Sequence, residues 1–178
     1  MAWMGLHLDI QVKAQAELDA VVSRGCGVAD ADVTSLPYIQ CIVKETLRVH
    51  PPSPLLSWAR LAIHDPRASA ATCTTAMVNM WATAHDPAVW VEPEAFRLEH
   101  FQEEDGSVLG SDLRLAPFGA GRRVCSGAGT GHHAPLDRPA AAAPVRVGAG
   151  GVDLSEPLDM SLEMATPLVC KAVPRVQT

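Results

Sequence analysis

FGAGRRVCSG, Phe118 to Gly127, is the stretch on which the reading of this chain turns. Its spacing is F-x-x-G-x-R-x-C-x-G, with one cysteine at the centre. A thiolate ligand has to be approached closely by backbone amides that stabilise its negative charge. Gly121 and Gly127 allow that approach because they carry no side chain. Arg123, two residues before Cys125, pairs with an anionic group and favours the thiolate over the thiol. Phe118 supplies an apolar wall that shields the sulfur from water. A lone cysteine in a glycine turn is ordinarily an inert thiol. Here phenylalanine, arginine and both glycines stand at set distances from it, which is the pattern of a ligand site.

Composition narrows the alternatives. The chain has 178 residues, 48% of them hydrophobic, 19% charged and 4% aromatic, with a formal net charge of −6. That length suits one domain, burying about 70% of its unfolded surface. No basic stripe offers a nucleic-acid footprint, so a nucleic-acid partner is not expected. The cysteines are five, an odd number, with no C-x-x-C pair, which argues against a disulfide framework or a structural zinc site. His132 and His133 lie in a glycine- and alanine-rich tract without recognised ligand spacing to Cys125. No segment reaches membrane-spanning length, and MAWMGLHLD is too short for a signal peptide.

Outward from the cysteine loop, two helices are predicted upstream. Ile10, Ala14, Leu18, Val21 and Val22 recur at helical spacing over residues 9–22, ending at Gly25 and Gly27. Residues 30–35 read as a polar connection. A second helix is predicted from Pro37, with Thr34 or Ser35 as cap and Ile39, Ile42, Val43, Thr46 and Leu47 as its stripe. Pro51 and Pro52 stop it near Val49. Residues 55–63 and 76–80 read as strands. Asp86-Pro87 reads as a cap opening a short helix through Trp90. Residues 128–150 have no apolar period and read as low-complexity chain. A terminal strand pair is expected between residues 162–164 and 168–172.

The loop spacing resembles the haem-binding signature of the cytochrome P-450 family, with Ser126 where the family often has proline or alanine. KETLR, placing Glu45 and Arg48 three apart before HPPSPLL, resembles the family's E-x-x-R pair on its K helix. Alone, that pair would read as a surface ion pair worth about 0.2–0.5 kcal/mol. PYIQCIVKETLRVHPPSPLL and TTAMVNMWATAHDPAVW resemble the plant microsomal branch. The resemblance covers most of residues 1–127 and again 151–175, about the C-terminal third of a complete member.

The resemblance implies a mainly α fold with small β-sheets (α+β), the C-terminal portion of the family's fold only. Residues 1–127 would hold the K-helix-like segment and the haem loop, and 151–178 the terminal strand region. Between them, 128–150 stand where the family has its apolar L helix. Read one base out of register, GC-rich codons for residues 134–150 spell such a helix, and 67–73 behave likewise. These two stretches are therefore expected to be frame-shifted.

The implied activity is that of a haem-thiolate monooxygenase, inserting one oxygen atom into an organic substrate. Cys125 would ligate the iron, with Phe118, Gly121, Arg123 and Gly127 binding the haem. Small apolar substrates and an electron-donating reductase are the implied partners. The alternative is a catalytically inactive remnant that binds haem weakly or not at all. Family members sit on the endoplasmic-reticulum membrane, and without an anchor this chain is expected to be soluble or peripheral. One departure bears on the site. In FRLEHF, His100 stands where the family has the arginine that locks to the E-x-x-R pair. Histidine lacks a planar, always-charged fork. Glu45 is therefore expected to keep only Arg48.

Overall fold

The computed structural model describes residues 2–22, 29–59, 75–102, 108, 111–128, 145–147, 151–157 and 161–172. The elements run α1 (Ala2–Leu6), α2 (Leu8–Val21), α3 (Asp30–Val33), α4 (Pro37–Val49), β1 (Leu55–Ala59), β2 (Thr75–Asn79), α5 (Met80–Ala84), β3 (Val145–Val147) and β4 (Cys170–Ala172). Two short 3-10 turns, Leu98–Phe101 and Gly121–Arg123, lie between α5 and β3.

The core forms where α2 meets α4. Ile10, Ala14 and Leu18 of α2 pack against Ile39, Ile42 and Val43 of α4, closed over by Leu36, Trp90, Leu98, Phe101 and Leu115. The helical stripes predicted for both segments supply these contacts. Beyond the stripe, α4 also buries Cys41, Lys44, Glu45, Arg48 and Val49. It is a central helix covered on several faces rather than a surface helix with one apolar side.

Proline starts α4 at its first turn, as expected. Its cap is different from the expected Thr34 or Ser35. Both carboxylate oxygens of Glu17, on α2, accept hydrogen bonds from the first-turn amides of Tyr38 and Ile39, each at 2.9 Å. A negative charge there also complements the helix dipole. The supposed polar connection contains the short helix α3. The glycines expected to end α2, Gly25 and Gly27, lie outside the described residues.

Strands β1 and β2 form an antiparallel ribbon, with Leu55 opposite Asn79 and Ala59 opposite Thr75. Residues 60–63 of the predicted first strand lie outside the described residues. Asn79 then caps α5, its side chain accepting from the Ala82 amide at 2.9 Å. Asp86-Pro87 makes a turn and not a helix. Asp86 does cap it, its carboxylate accepting from Ala88 N and its carbonyl from Val89 N and Trp90 N. Glu92 has a φ of 50°, which breaks any helical continuation.

The terminal strand pair differs as well. β4 pairs antiparallel with β3, Val147 opposite Cys170, and residues 162–164 form no strand. Alternation marks both candidates equally, and only the fold chooses the partner. Segment 162–164 instead lies by the end of α4, where the Leu162 amide donates to the Pro52 carbonyl at 3.3 Å.

Candidate haem-thiolate site

The cysteine loop is slung between buried anchors. Leu115, Ala116 and Pro117 are buried before it and Ala128 after it, while residues 121, 122 and 124–127 are exposed. Its ends are tied by backbone bonds: Cys125 N donates to the Phe118 carbonyl at 2.9 Å, and Ala128 N to the Cys125 carbonyl at 3.1 Å. The 3-10 turn adds Val124 N to the Gly121 carbonyl at 3.2 Å. The chain thus folds back on itself with Cys125 at the crest, its thiol free and exposed.

The glycines play distinct parts. Gly121 has a φ of 69° with nothing within 4 Å of a Cβ, so its requirement is conformational, not one of space. Gly119, which the sequence reading passed over, has a φ of 79° and lies beside Leu56 of β1, where a Cβ would stand 4.0 Å from Leu56 Cδ1. A signal for it was present in F-G-A-G, where two glycines flank one residue between Phe118 and the turn. At Gly127 a Cβ would meet Cys125 Sγ at 3.8 Å, an ordinary contact. Its absence leaves that side of the sulfur open. Phe118 is half-buried and closes the loop through its carbonyl. The side chain of Arg123 lies outside the described residues.

Helix α4 carries a buried polar cluster. Arg48 and Glu45 are both fully buried, so the surface-pair reading of E-x-x-R does not hold. Arg48 Nε and Nη2 donate to the two Glu45 oxygens at 2.9 and 2.7 Å. Nη1 donates to the carbonyls of Ala84 and Pro93, both at 2.8 Å, and Nη2 to Ala95 at 2.9 Å. Glu45 also accepts from the Arg97 amide at 2.8 Å. Contrary to expectation, Glu45 does not keep only Arg48: His100 Nδ1 lies 3.2 Å from both its oxygens. The imidazole is small enough to sit where a longer side chain would reach in, because the 3-10 turn at residues 98–101 packs directly on α4.

The cluster and the loop meet through Trp90. The guanidinium carbons of Arg48 and Arg114 both lie over its ring, 5.4 and 5.8 Å from the centroid. Arg114 is held in turn by Asp112, with Nη2 at 2.9 Å from Oδ2. That hydrogen bond keeps the Asp112 carboxyl below the ordinary aspartate range. Cys41, by contrast, is buried on α4 with its thiol against the Phe101 carbonyl, and burial pushes that thiol up. Of the described cysteines, Cys41 is buried while Cys125 and Cys170 are exposed. Among the described residues, no three His, Cys, Asp or Glu side chains gather as a metal cage.

The described chain holds both an exposed thiol at the crest of a glycine-shaped loop and a fully buried E-x-x-R pair. A sequence pattern described as Cytochrome P450 matches residues 1–133. The chain belongs to the cytochrome P450 family. It is 50% identical over 182 residues to cytochrome P450 78A5 of Arabidopsis thaliana, covering 98% of this chain and 35% of that protein. With cytochrome P450 78A1 of Zea mays it is 50% identical over 195 residues, covering 98% and 34%. This is a plant-type cytochrome P450. A zebra fish cytochrome P450 structure described with progesterone superposes with a TM-score of 0.79 at 29% identity, covering 98% of this chain and 40% of that one. The same likeness holds for a zebra fish structure described with abiraterone, with a TM-score of 0.80 at 28% identity, over 99% and 42%. The chain thus spans about a third of the length of the curated P450s it matches. The fold is a partial P450 fold, helix-rich with small antiparallel sheets, and the family's cofactor is a haem with cysteine thiolate ligation. Among the described residues no helix is long and apolar enough to cross a membrane.

Proposed function

We propose that this chain carries the thiolate side of a P450 haem site, with Cys125 as iron ligand, in a protein that acts as a monooxygenase. The carrying observation is the crest geometry: Cys125 Sγ is exposed while its amide is spent on the Phe118 carbonyl. The residues present fit the group. The loop offers one open thiol, a glycine at 127 that keeps its flank clear, and positive-φ glycines at 119 and 121 that turn the chain around it. Phe118, Gly121, Arg123 and Gly127 are the residues assigned to the haem with Cys125. A thiolate-bound haem supplies activation of molecular oxygen for insertion into an organic substrate. The chain's own contribution is to hold the sulfur at the crest of a loop tied by the Cys125 amide to the Phe118 carbonyl and the Ala128 amide to the Cys125 carbonyl. A small apolar substrate and an electron-donating reductase are the partners assigned to the whole protein.

A second reading, an inactive remnant with weak haem binding, is favoured by one observation. The family match ends at residue 133, inside the 128–150 tract whose composition provides no apolar helix. We assign that tract, and residues 67–73, to shifted reading frames, and residues 1–127 and 151–178 to one domain. Both readings meet in one measurement. The full chain is mixed with haem, reduced under carbon monoxide and its Soret band recorded. A strongly red-shifted, thiolate-type band that is lost in Cys125→Ala supports the ligand assignment. Free-haem absorption in both proteins overturns it in favour of the remnant.

A further inference from the structure

From Asp112 to Ala128 the chain is a succession of closed turns. Leu115 N donates to the Asp112 carbonyl at 3.2 Å, and Gly119 N to the Ala116 carbonyl at 2.9 Å. Cys125 N then donates to Phe118 at 2.9 Å, and Ala128 N to Cys125 at 3.1 Å. Each turn starts on, before or directly after the residue that ends the previous one, so a tilt of the first is passed along to the cysteine loop. Two side chains tie that first turn to the body. Leu115 enters the apolar core, a contact that fixes depth but has no direction. Arg114 supplies the direction. Its Nε donates to both Asp112 oxygens at 3.1 and 3.2 Å, and its Nη2 to Oδ2 at 2.9 Å. Its own amide donates to Asp112 Oδ1 at 2.9 Å. So gripped, its guanidinium carbon lies 5.8 Å from the centroid of Trp90. That ring is itself fixed: it is buried, its indole donates to the Thr83 carbonyl at 3.2 Å, and Arg48 lies over it as well.

We propose that Arg114 is a positioning residue for Cys125: its guanidinium, gripped by Asp112 and laid over Trp90, sets the orientation of the turn from which the cysteine loop hangs. This rests on the reading of Cys125 as the thiolate ligand, since a ligand atom is what has to be held to one direction. An ion pair with Asp112 alone, on an arginine 44% exposed, contributes little and would leave the loop indifferent to residue 114. A planar cation over an aromatic face ties the turn to the ring that the Arg48 cluster shares. Lysine at 114 keeps the charge and loses the flat fork that Asp112 grips. Glutamine keeps neither.

The full chain is compared as wild type, Arg114→Gln and Arg114→Lys by hydrogen–deuterium exchange resolved to single amides. The Cys125 amide has to release Phe118 before it exchanges. In Arg114→Gln it is expected to exchange about two- to fivefold faster, the worth of a solvent-facing cation over a ring. Arg114→Lys is expected to recover part of that protection, and amides in the middle of α4 to keep their wild-type rates. Unchanged exchange at Cys125 overturns the proposal. So does an equal acceleration within α4, which would mark a general loss of stability. Haem and carbon monoxide supply a second readout. Where the wild type gives a red-shifted, thiolate-type band, Arg114→Gln is expected to give a smaller share of it, and an identical share overturns the proposal. Free-haem absorption in the wild type overturns the ligand reading instead, and the exchange rates then decide whether Arg114 orients the loop.

Discussion

Replacing Arg48 with methionine is the perturbation whose size the structure fixes best. The guanidinium makes five hydrogen bonds, two to Glu45 and one each to Ala84, Pro93 and Ala95, in a site with no exposure on either partner. Methionine fills much of the stem's volume but supplies no donor. Glu45 would then be a buried carboxylate with only the Arg97 amide and His100 against it. Breaking a buried pair from one side costs about 3–5 kcal/mol, because the remaining charge stays desolvated. Against a native stability of about 5–15 kcal/mol, that removes a large fraction of the whole. The melting temperature of a chain this size should fall by about 2–4 °C for each kcal/mol, hence by about 6–20 °C. Urea unfolding followed by circular dichroism measures it directly. The double variant Glu45→Leu, Arg48→Met should be less damaged than the sum of its parts, with a coupling of about 2 kcal/mol, since no lone charge remains. A loss under about 1 kcal/mol for Arg48→Met, the worth of an exposed pair, would refute the claim that this cluster is a buried lock.

Glu17→Ala should cost about 1–2 kcal/mol by stripping the first turn of α4 of its cap, read from the same urea titration. Gly121→Ala should cost about 1–2 kcal/mol through its left-handed φ, whereas Gly127→Ala should stay within about 0.5 kcal/mol yet slow alkylation of Cys125 by covering one side of the sulfur. Asp112, whose carboxyl is held low by its hydrogen bond from Arg114, contributes stability that is present above the ordinary aspartate range of about pH 4 and is lost as pH falls through its own lower value. Carbon-13 titration of the Asp112 carboxyl should show it, and Arg114→Ala should move the transition back up.

Legibility along the chain followed the physics that wrote each part. The bounds of α4 could be read because Pro37 admits a helix start and Pro51-Pro52 forbids its continuation. Its buried polar side could not. The partners of Arg48 are carbonyls of Ala84, Pro93 and Ala95, and a carbonyl leaves no mark in residue identity. The turn at Asp86 announced its cap but not its length, which Glu92 ends with a positive φ. Gly121 was legible as a turn glycine, which its φ of 69° requires. Gly119 was not, because its φ depends on how the loop meets β1. His100 was visible as a departure, but its bond to Glu45 arises from the close seat of the 3-10 turn on α4, which only folding creates.

The two bonds that Glu17 accepts from Tyr38 and Ile39 have a consequence for how the molecule opens. A helix start ordinarily frays, and its leading amides trade hydrogen for deuterium almost as freely as unfolded chain. Here those amides are fastened to a different helix, so they are released only when α2 and α4 part. The beginning of α4 should therefore exchange in step with its middle, and the two helices should open as one cooperative unit.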